Sequence, residues 1–245
     1  MHRHRIYTEI ALSAGGEVTL EKSPSHHLIH VLRLKQGAEV TLFNGDGHDY
    51  PARLIKVERR LVVAGIGDRE RVEAPPALQI ELGIGISKGE RMDFAIQKAV
   101  ELGVATITPL ITRRCVVRLS PERMEKKFTH WHNTLIAACE QSGRRRLPGL
   151  AAAQQLDEWL GENATDTRIL LDHRSENRLS DLPPPPAGDG VRLLVGPEGG
   201  LSATERETAL ECGFQGVRLG PRILRTETAP LAAISAMQML WGDFR

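Results

Sequence analysis

The stretch LLVGPEGGLS (193–202) decides the fold. An apolar run from Leu193 to Val195 leads into a glycine-rich turn, and Ser202 with Glu205 forms the capping-box pattern that starts a helix. A strand that turns directly into a helix is the repeating step of α/β proteins, whose ligands bind at the carboxyl ends of the strands. The glycine spacing fits neither G-x-G-x-x-G nor a phosphate loop. The turn therefore predicts a ligand crevice, the alternative being a tight turn that serves only the backbone.

A second turn of the same kind follows in LGPRILRTETAP (219–230). It too lies between a predicted strand and a predicted helix. It contains two arginines, two threonines and a glutamate, and the apolar residues of the helix follow from Leu231. Such polar groups are costly at a strand end unless they pair with one another or bind something. Because both turns follow strands of one sheet, we predict a ligand crevice between them. A network of helix caps around Thr226 and Glu227 is the alternative.

Two regions of the chain differ in their sequence pattern. Residues 1–74 are rich in short strands and turns such as Asn44-Gly45, which predicts a small β domain. Ala74-Pro75-Pro76 breaks that pattern, and strand-like and helix-like segments alternate from Leu78 onward. Residues 75–245 are therefore predicted to form an α/β domain, with a mainly parallel sheet and helices on both faces.

Composition excludes several classes of protein. No apolar run reaches the length of about 20 residues that a membrane-spanning helix needs, and no secretory signal follows Met1. The three cysteines (Cys115, Cys139, Cys212) are too scattered for a disulfide framework, so a reducing cytoplasm is expected. No metal-binding spacing occurs, and no metal is predicted. Aromatic residues make up only 4%, which disfavours RNA binding on an aromatic platform.

Charge is unevenly distributed although the net charge is only +1. Residues 88–150 hold twelve Lys and Arg against six Asp and Glu, whereas residues 151–245 hold nine against fourteen. A polyanion is therefore expected to dock on the first 150 residues, where the triple arginine 144–146 suits a phosphate backbone. A solvated helix face is the alternative.

These motifs together resemble the RsmE family of the SPOUT superfamily. The resemblance rests on KGERMDFAIQKAVELGVATITPL (88–110), the EQS–R–P element (140–148), GPEGGLS (196–202) and LGPRILRTETA (219–229). The N-terminal pattern His27, Leu28, Val31, Leu32, Arg33 and Gly37 also fits. Glu90, where the family often has Asp, and Cys139 are small departures.

The resemblance implies an enzyme that uses S-adenosylmethionine to methylate N3 of one uridine, at position 1498, of 16S ribosomal RNA. It implies a PUA-like β-barrel domain at 1–74 that helps to hold RNA, and a SPOUT α/β domain at 75–245 with a C-terminal trefoil knot. Periodicity alone predicts an ordinary doubly wound sheet, since knots are nearly absent from proteins. A cytoplasmic homodimer acting on 16S rRNA, in the 30S subunit, is also implied.

The cofactor-binding residues follow from the resemblance, the catalytic residues from the chemistry of uridine N3, and the RNA contacts from the positions of cationic residues. The cofactor-binding residues are predicted to be Leu170, Leu171, Leu194, Gly196, Glu198, Gly199, Leu219, Gly220, Ile223, Leu224, Thr228 and Ala229. Arg225 or Arg222 is predicted to stabilise the uracil oxygens, and Glu198 is a candidate base. The residues predicted to bind RNA are Arg3, Arg5, His27, Arg33, Lys88, Arg91, Arg113, Arg114, Arg144, Arg145 and Arg146.

Other functions remain open at this point. One is a related SPOUT methyltransferase that modifies transfer RNA or a ribose 2′-hydroxyl. Another is a ribosome-assembly factor that binds RNA without catalysis. A nicotinamide dehydrogenase would also have β-α-β alternation, but the missing G-x-G-x-x-G disfavours it.

Overall fold

The chain forms two compact units. The structure is a computed structural model that describes residues 3–115, 120–162 and 167–244. One unit comprises residues 1–75 and 136–147, and the other comprises residues 76–135 and 148–245. The proline break at the end of the first domain lies beside the observed boundary. Residues 136–147, which the sequence places in the second domain, instead cluster with the first unit.

The first unit is built on a six-stranded sheet. Its strands are β1 (His4–Tyr7), β2 (Glu17–Thr19), β3 (Glu39–Phe43), β4 (His48–Glu58), β5 (Leu61–Ile66) and β6 (Glu70–Val72). The order is β1-β3-β4-β5-β2, with β6 on β4, and only the β1–β3 pair is parallel. Buried and half-buried residues alternate along β5, so one face covers the core. The β-rich prediction is confirmed. Among the described strands the path ends at β1 and β2, and no pair closes it into a barrel.

A short helical segment follows β2. Helix α1 (Lys22–His26) runs into one π-helical turn, His27–Val31. Directly after it, Arg33 adopts a left-handed backbone conformation with φ of 54°, which is rare for a residue other than glycine. The leucine at position 28 is fully buried in the core of this unit, which anchors the segment.

The second unit contains a seven-stranded parallel sheet. Its strands are β7 (Ile80–Gly85), β8 (Thr106–Ile111), β9 (Gly149–Leu150), β10 (Gln154–Gln155), β11 (Thr167–Leu171), β12 (Val191–Val195) and β13 (Gln215–Val217). The order is β10-β8-β7-β12-β11-β13, with β9 on β8, and every pair is parallel. All five residues of β12 are buried, so both faces of the sheet are covered at its centre.

The helices that follow β7 are α2 (Glu90–Glu101), α3 (Pro121–Ser142), α4 (Leu156–Leu160), α5 (Ala203–Glu211) and α6 (Ala229–Trp241). Four of them pack in two pairs. Helix α2 packs against α6, and α4 packs against α5. Trp159 of α4 is fully buried with Leu170 and Leu194 of the sheet. The predicted parallel α/β architecture is confirmed, and the trefoil knot stays a prediction.

The described ranges contain no helix that is both long enough and apolar enough to cross a membrane. Within the same ranges, no group of three or more His, Cys, Asp or Glu side chains is placed to hold a metal ion.

Candidate active site

A cavity of about 570 Å³ lies where β11, β12 and β13 end. Three segments line it, namely 170–174, 195–201 and 217–229, together with single side chains from other elements. Its volume falls within the range of small-molecule sites, and the ends of parallel strands are where α/β proteins bind ligands. The two turns singled out in the sequence therefore do meet around one cavity.

Hydrogen bonds join the two turns directly. The Thr226 hydroxyl donates to the Gly196 carbonyl oxygen at 2.8 Å, and its oxygen lies 3.5 Å from the hydroxyl of Ser87. Thr226 and Ser87 are both buried, so these contacts are shielded from water. Gly85, at the end of β7, lies so close to Pro197 that a Cβ added there would be 2.5 Å from the proline ring. Three strand ends are thus held together at the cavity.

Glu198 is held by donors from the start of α2. Its Oε1 atom accepts hydrogen bonds from the Lys88 backbone N–H at 2.9 Å and from Arg91 Nη1 at 3.1 Å. Burial alone would raise the pKa of Glu198, but these hydrogen bonds outweigh it and hold the pKa below its usual value. A carboxylate that is stabilised in this way is a poor proton acceptor, so the geometry favours a positioning role for Glu198.

Glu227 lies in the same cavity wall with much weaker contacts. Its side chain is 15% exposed, and its Oε2 atom is buried without a hydrogen-bond partner among the described residues. Arg91 Nε lies 4.0 Å from that atom, and Arg225 Nη1 lies 3.9 Å from Oε1. Both distances exceed hydrogen-bonding length. The Arg225 side chain is 81% exposed, so its guanidinium is free to meet a ligand at the rim.

An ion pair borders another part of the cavity. Asp172, which directly follows β11, accepts from Arg206 Nε and from the Arg174 backbone N–H, the latter at 3.0 Å. Burial would raise the pKa of Asp172, but the Arg206 hydrogen bond and charge lower it below its ordinary value. Asp172 and Arg206 were not predicted from the sequence, and Thr226 was considered only as a helix cap, because their partners are 30 or more residues away in the chain.

Most of the residues predicted to bind the cofactor line this cavity. They are Leu170, Leu171, Gly196, Glu198, Gly199, Leu219, Gly220, Ile223, Leu224 and Ala229. Leu194 does not line the cavity, because alternate residues of a strand face opposite sides and this one is fully buried against Trp159. Thr228 is exposed at the N-terminus of α6 and also lies outside the lining. Both predicted catalytic arginines, Arg222 and Arg225, are in the lining.

The cationic residues predicted to bind RNA in the second unit are exposed. Lys88, Arg91, Arg113 and Arg114 have exposed side chains, and two of them, Arg91 and Arg114, also line the cavity. Arg114 Nη1 donates to the Gly199 carbonyl at 3.0 Å, which places this cation directly on the glycine-rich turn. Arg91 and Arg114 thus bring positive charge to the cavity wall, while Lys88 and Arg113 lie outside its lining.

In the first unit, the arginines predicted to bind RNA occupy two different environments. Arg5 and Arg145 both pair with Asp49, whose side chain is 7% exposed, and Arg145 Nε lies 2.8 Å from Asp49 Oδ2. Glu73 accepts from the backbone N–H groups of Arg145 and Arg146, and it lies 3.8 Å from Arg144 Nε. These side chains are only 12% to 17% exposed where they pair with carboxylates. Arg5, Arg144 and Arg145 therefore form internal ion pairs, and RNA contact by Arg5 and the triple arginine stays a prediction.

The other predicted RNA contacts of this unit remain accessible. Arg3 is 41% exposed and pairs with Glu39 on the surface, while Arg33 is exposed after the π-helical turn. His27 is half-buried at the start of that turn.

Known families match both units of the chain. The profile of a family described as an RNA methyltransferase domain matches residues 74–238, and one described as an RNA methyltransferase PUA domain matches residues 20–66. The protein named ribosomal RNA small subunit methyltransferase E in Buchnera aphidicola (subsp. Schizaphis graminum) is 36% identical over 240 residues, covering 98% of this chain and 97% of the relative. Its namesake in Bacillus subtilis is 28% identical over 229 residues, covering 89% and 90%.

Solved structures match the whole fold. Ribosomal RNA small subunit methyltransferase E from Neisseria gonorrhoeae, bound to S-adenosylmethionine, has a TM-score of 0.91 and 40% identity, with both chains fully covered. A Legionella pneumophila protein described as a methyltransferase, in complex with the cofactor SAM, has a TM-score of 0.95 and 40% identity, again with full coverage.

The parallel sheet, the cavity at its strand ends and these matches define an RNA methyltransferase with an N-terminal PUA-like unit. Within that class, the chain belongs to the RsmE family. The sequence-based assignment to this family is confirmed.

Proposed function

We propose that this protein is an S-adenosylmethionine-dependent methyltransferase that methylates N3 of one uridine in 16S ribosomal RNA of the small subunit. The observation that carries the proposal is the cavity formed by the 195–201 and 217–229 segments, tied to each other by the Thr226–Gly196 hydrogen bond. Relatives that match this chain over nearly its whole length are named as small-subunit ribosomal RNA methyltransferases. One of them, and a second protein described only as a methyltransferase, are solved with the cofactor bound.

The cavity fits S-adenosylmethionine in size and chemistry. Its walls combine apolar side chains, such as Leu170, Leu219 and Leu224, with the backbone of a glycine-rich turn. Apolar walls with a few polar groups are typical of nucleoside sites, where backbone groups can read an adenine edge. Ionic groups of both signs, including Asp172 and Arg206, suit a ligand that carries an ammonium and a carboxylate. When bound, this cofactor supplies an electrophilic methyl group.

The residues around the cavity then act on the uracil. Its N3–H is a weak acid, and the ring becomes nucleophilic at N3 as the proton leaves and negative charge spreads to the flanking oxygens. Arg225 and Arg222 reach the rim of the cavity with exposed guanidinium groups, which can donate hydrogen bonds to those oxygens. Cationic donors placed where charge develops lower the barrier. Glu198 orients Arg91 and the backbone of Lys88 at the entrance.

RNA binding is assigned to the exposed cations of both units. Lys88, Arg91, Arg113 and Arg114 are proposed to hold phosphates next to the cavity, while Arg3, Arg33 and His27 do so on the PUA-like unit. Arginine and lysine contacts to phosphates fix the position of RNA without reading its sequence. Because the proposed substrate is ribosomal RNA of the small subunit, the protein is placed in the cytoplasm.

A homodimer is proposed from apolar surface on the second unit. Helices α2 and α6, which pack together, expose Phe94, Met239 and Leu240 by 45%, 60% and 43%. Exposed apolar side chains on adjacent helices are typical of interfaces between copies of one chain. Light scattering is expected to give twice the chain mass of 27.1 kDa, and replacing Met239 by Glu is expected to shift the mass toward one chain. A wild-type mass of one chain contradicts the homodimer.

The activity is tested with the purified protein, S-adenosylmethionine and small ribosomal subunits that lack the modification. Mass spectrometry of nuclease fragments is expected to show one added methyl group, on the base of a single uridine of 16S rRNA. Methylation of a ribose, or of transfer RNA offered in parallel, contradicts the proposed substrate. Absence of any methyl transfer, together with no calorimetric binding of the cofactor, contradicts the enzyme class.

A further inference from the structure

Two glutamates line the cavity near the arginines, and they differ in how their oxygens are used. Glu198 already accepts hydrogen bonds from Lys88 and Arg91. Glu227 has a buried Oε2 atom without a hydrogen-bond partner among the described residues. A buried carboxylate oxygen without a donor is destabilising, so its retention beside a ligand cavity calls for a functional reason.

The surroundings of Glu227 fit a donor brought by the substrate. Arg91 from α2 lies between the two glutamates, at 3.1 Å from Glu198 and 4.0 Å from Glu227. Arg225, on the same turn as Glu227, contributes the other nearby cation at 3.9 Å. Both cations lie beyond hydrogen-bonding distance, so neither supplies a donor to the buried Oε2 atom. The terminal carboxylate torsion of a glutamate is broad and roughly two-fold, so either oxygen can turn toward the cavity.

Other titratable groups of the cavity are less suited to accept a proton. Both oxygens of Asp172 are engaged, one by Arg206 and the other by the Arg174 backbone. His173 lines the cavity on the 170–174 segment, a different wall from the turn that carries Arg222 and Arg225. Glu227 alone shares that turn with the two arginines proposed to hold the uracil oxygens.

We propose that Glu227 is a catalytic residue that accepts the proton from uridine N3, an inference that rests on the proposed N3 methylation. The N3–H bond breaks and its proton passes to the Glu227 carboxylate. The freed electron pair on N3 forms the new bond to the methyl carbon, and the electrons of the broken carbon–sulfur bond remain on sulfur. The sulfonium charge is thereby neutralised, and the protonated carboxyl returns its proton to solvent. Arg225 and Arg222 hold the charge that develops on the uracil oxygens.

The experiment compares Glu227→Gln with Glu207→Gln. Glutamine keeps the size and hydrogen-bonding ability of the side chain but cannot take up a proton at neutral pH. Glu207 is exposed on α5 of the same unit and does not line the cavity, so its variant removes one negative charge elsewhere. Three quantities are measured for each protein: cofactor affinity by calorimetry, the single-turnover methylation rate on small ribosomal subunits, and the pH dependence of that rate.

For Glu227→Gln, cofactor affinity is expected to stay within about twofold of wild type while the rate falls by about 10²–10⁴-fold, the usual contribution of a general base. The remaining rate is expected to rise about tenfold per pH unit, because this variant must use uridine that has already lost its proton to solvent. Glu207→Gln is expected to match the wild type in all three measurements.

Subunits reconstituted with RNA that contains 5-fluorouridine give an independent readout. Fluorine withdraws electrons and makes N3–H more acidic, so this substrate is expected to reduce the defect of Glu227→Gln. A merely structural loss would not respond to the acidity of the substrate.

Three outcomes overturn the inference. The first is a wild-type methylation rate in Glu227→Gln, and the second is an equally large rate defect of this variant with the fluorinated substrate. The third is a loss of cofactor affinity with an unchanged maximal rate, which would instead assign Glu227 to the cofactor ammonium. These outcomes differ from failure of the proposed function, in which the wild type and Glu207→Gln also transfer no methyl group to N3.

Discussion

Two arginine-rich segments of this chain look alike in sequence and differ in structure. The segment 144–146 lies in the first unit, where Glu73 pairs with Arg144 and Asp49 pairs with Arg145, and these two side chains are only 12% and 17% exposed. The turn 219–229 lies at the cavity, where Arg225 is 81% exposed and has only a long contact with Glu227. The number of carboxylates that fold against an arginine, and not the number of arginines in a row, decides whether it is free to bind a ligand.

The largest effect is expected where the buried pairs of the first unit are broken. Replacing Asp49 by Asn removes the carboxylate that Arg5 and Arg145 share. Both half-buried guanidinium groups then lose this negatively charged partner. The free energy of unfolding is expected to fall by about 3–5 kcal/mol, the usual cost of breaking a buried pair. Urea unfolding followed by circular dichroism measures this change.

Glu39 offers a matched control in the same unit, because it also serves two arginines, Arg3 and Arg53, but on the exposed surface. Glu39→Gln is expected to cost less than about 1 kcal/mol. Equal costs for the two variants would contradict a structural role for the buried arginines.

A smaller effect, on rate and not on stability, is expected at the exposed arginine of the cavity. Arg225→Ala removes a donor proposed to stabilise the uracil oxygens, and the single-turnover rate is expected to fall by about 10²-fold. Because the side chain makes few contacts, the melting temperature is expected to stay within about 1 °C of wild type. Arg123→Ala, an exposed arginine of α3 outside the cavity lining, is the control. If Arg225→Ala lowers the melting temperature but not the methylation rate, Arg225 has a structural role, which contradicts the difference drawn between the two arginine-rich segments.

The smallest effect is expected at the neutral contact that joins the two turns. Thr226→Val keeps the shape of the side chain but removes the hydroxyl that donates to Gly196. Loss of one buried hydrogen bond is worth about 1–1.5 kcal/mol, so the cofactor dissociation constant is expected to rise about tenfold in calorimetry. Thr226→Ser, which keeps the donor, is expected to bind like the wild type. Equal affinities of the valine and serine variants would show that the turns hold their shape without this contact.

Local patterns predicted the elements that depend on local chemistry. The capping box at Ser202 is present, with Ser202 accepting from the Glu205 N–H at 3.2 Å and the glutamate returning the contact. The strand before it is buried along its whole length, as its apolar run indicated. The sequence also predicted that the two turns meet at one cavity, because parallel strands place their carboxyl ends at the same edge of the sheet.

Contacts between distant parts of the chain could not be predicted in the same way. Nothing local in EQSGRRRLP shows that Asp49 and Glu73 fold against it, so the internal contacts of this segment could not be predicted. The pairs Asp172–Arg206 and Thr226–Gly196 were missed for the same reason. Glu198 drew attention as the one ionisable residue of its turn, but only the structure shows that donors from the start of α2 already occupy it.

The position of β12 at the middle of the parallel sheet has a consequence for biosynthesis. This strand pairs with β7 on one side and β11 on the other, yet it leaves the ribosome roughly 110 residues after β7. Until residues 191–195 emerge, the nascent chain holds two apolar strand edges without the strand that will separate them, and such edges invite aggregation. Folding of this unit is therefore expected to wait until β12 has been synthesised, and truncations upstream of β12 are expected to accumulate in inclusion bodies.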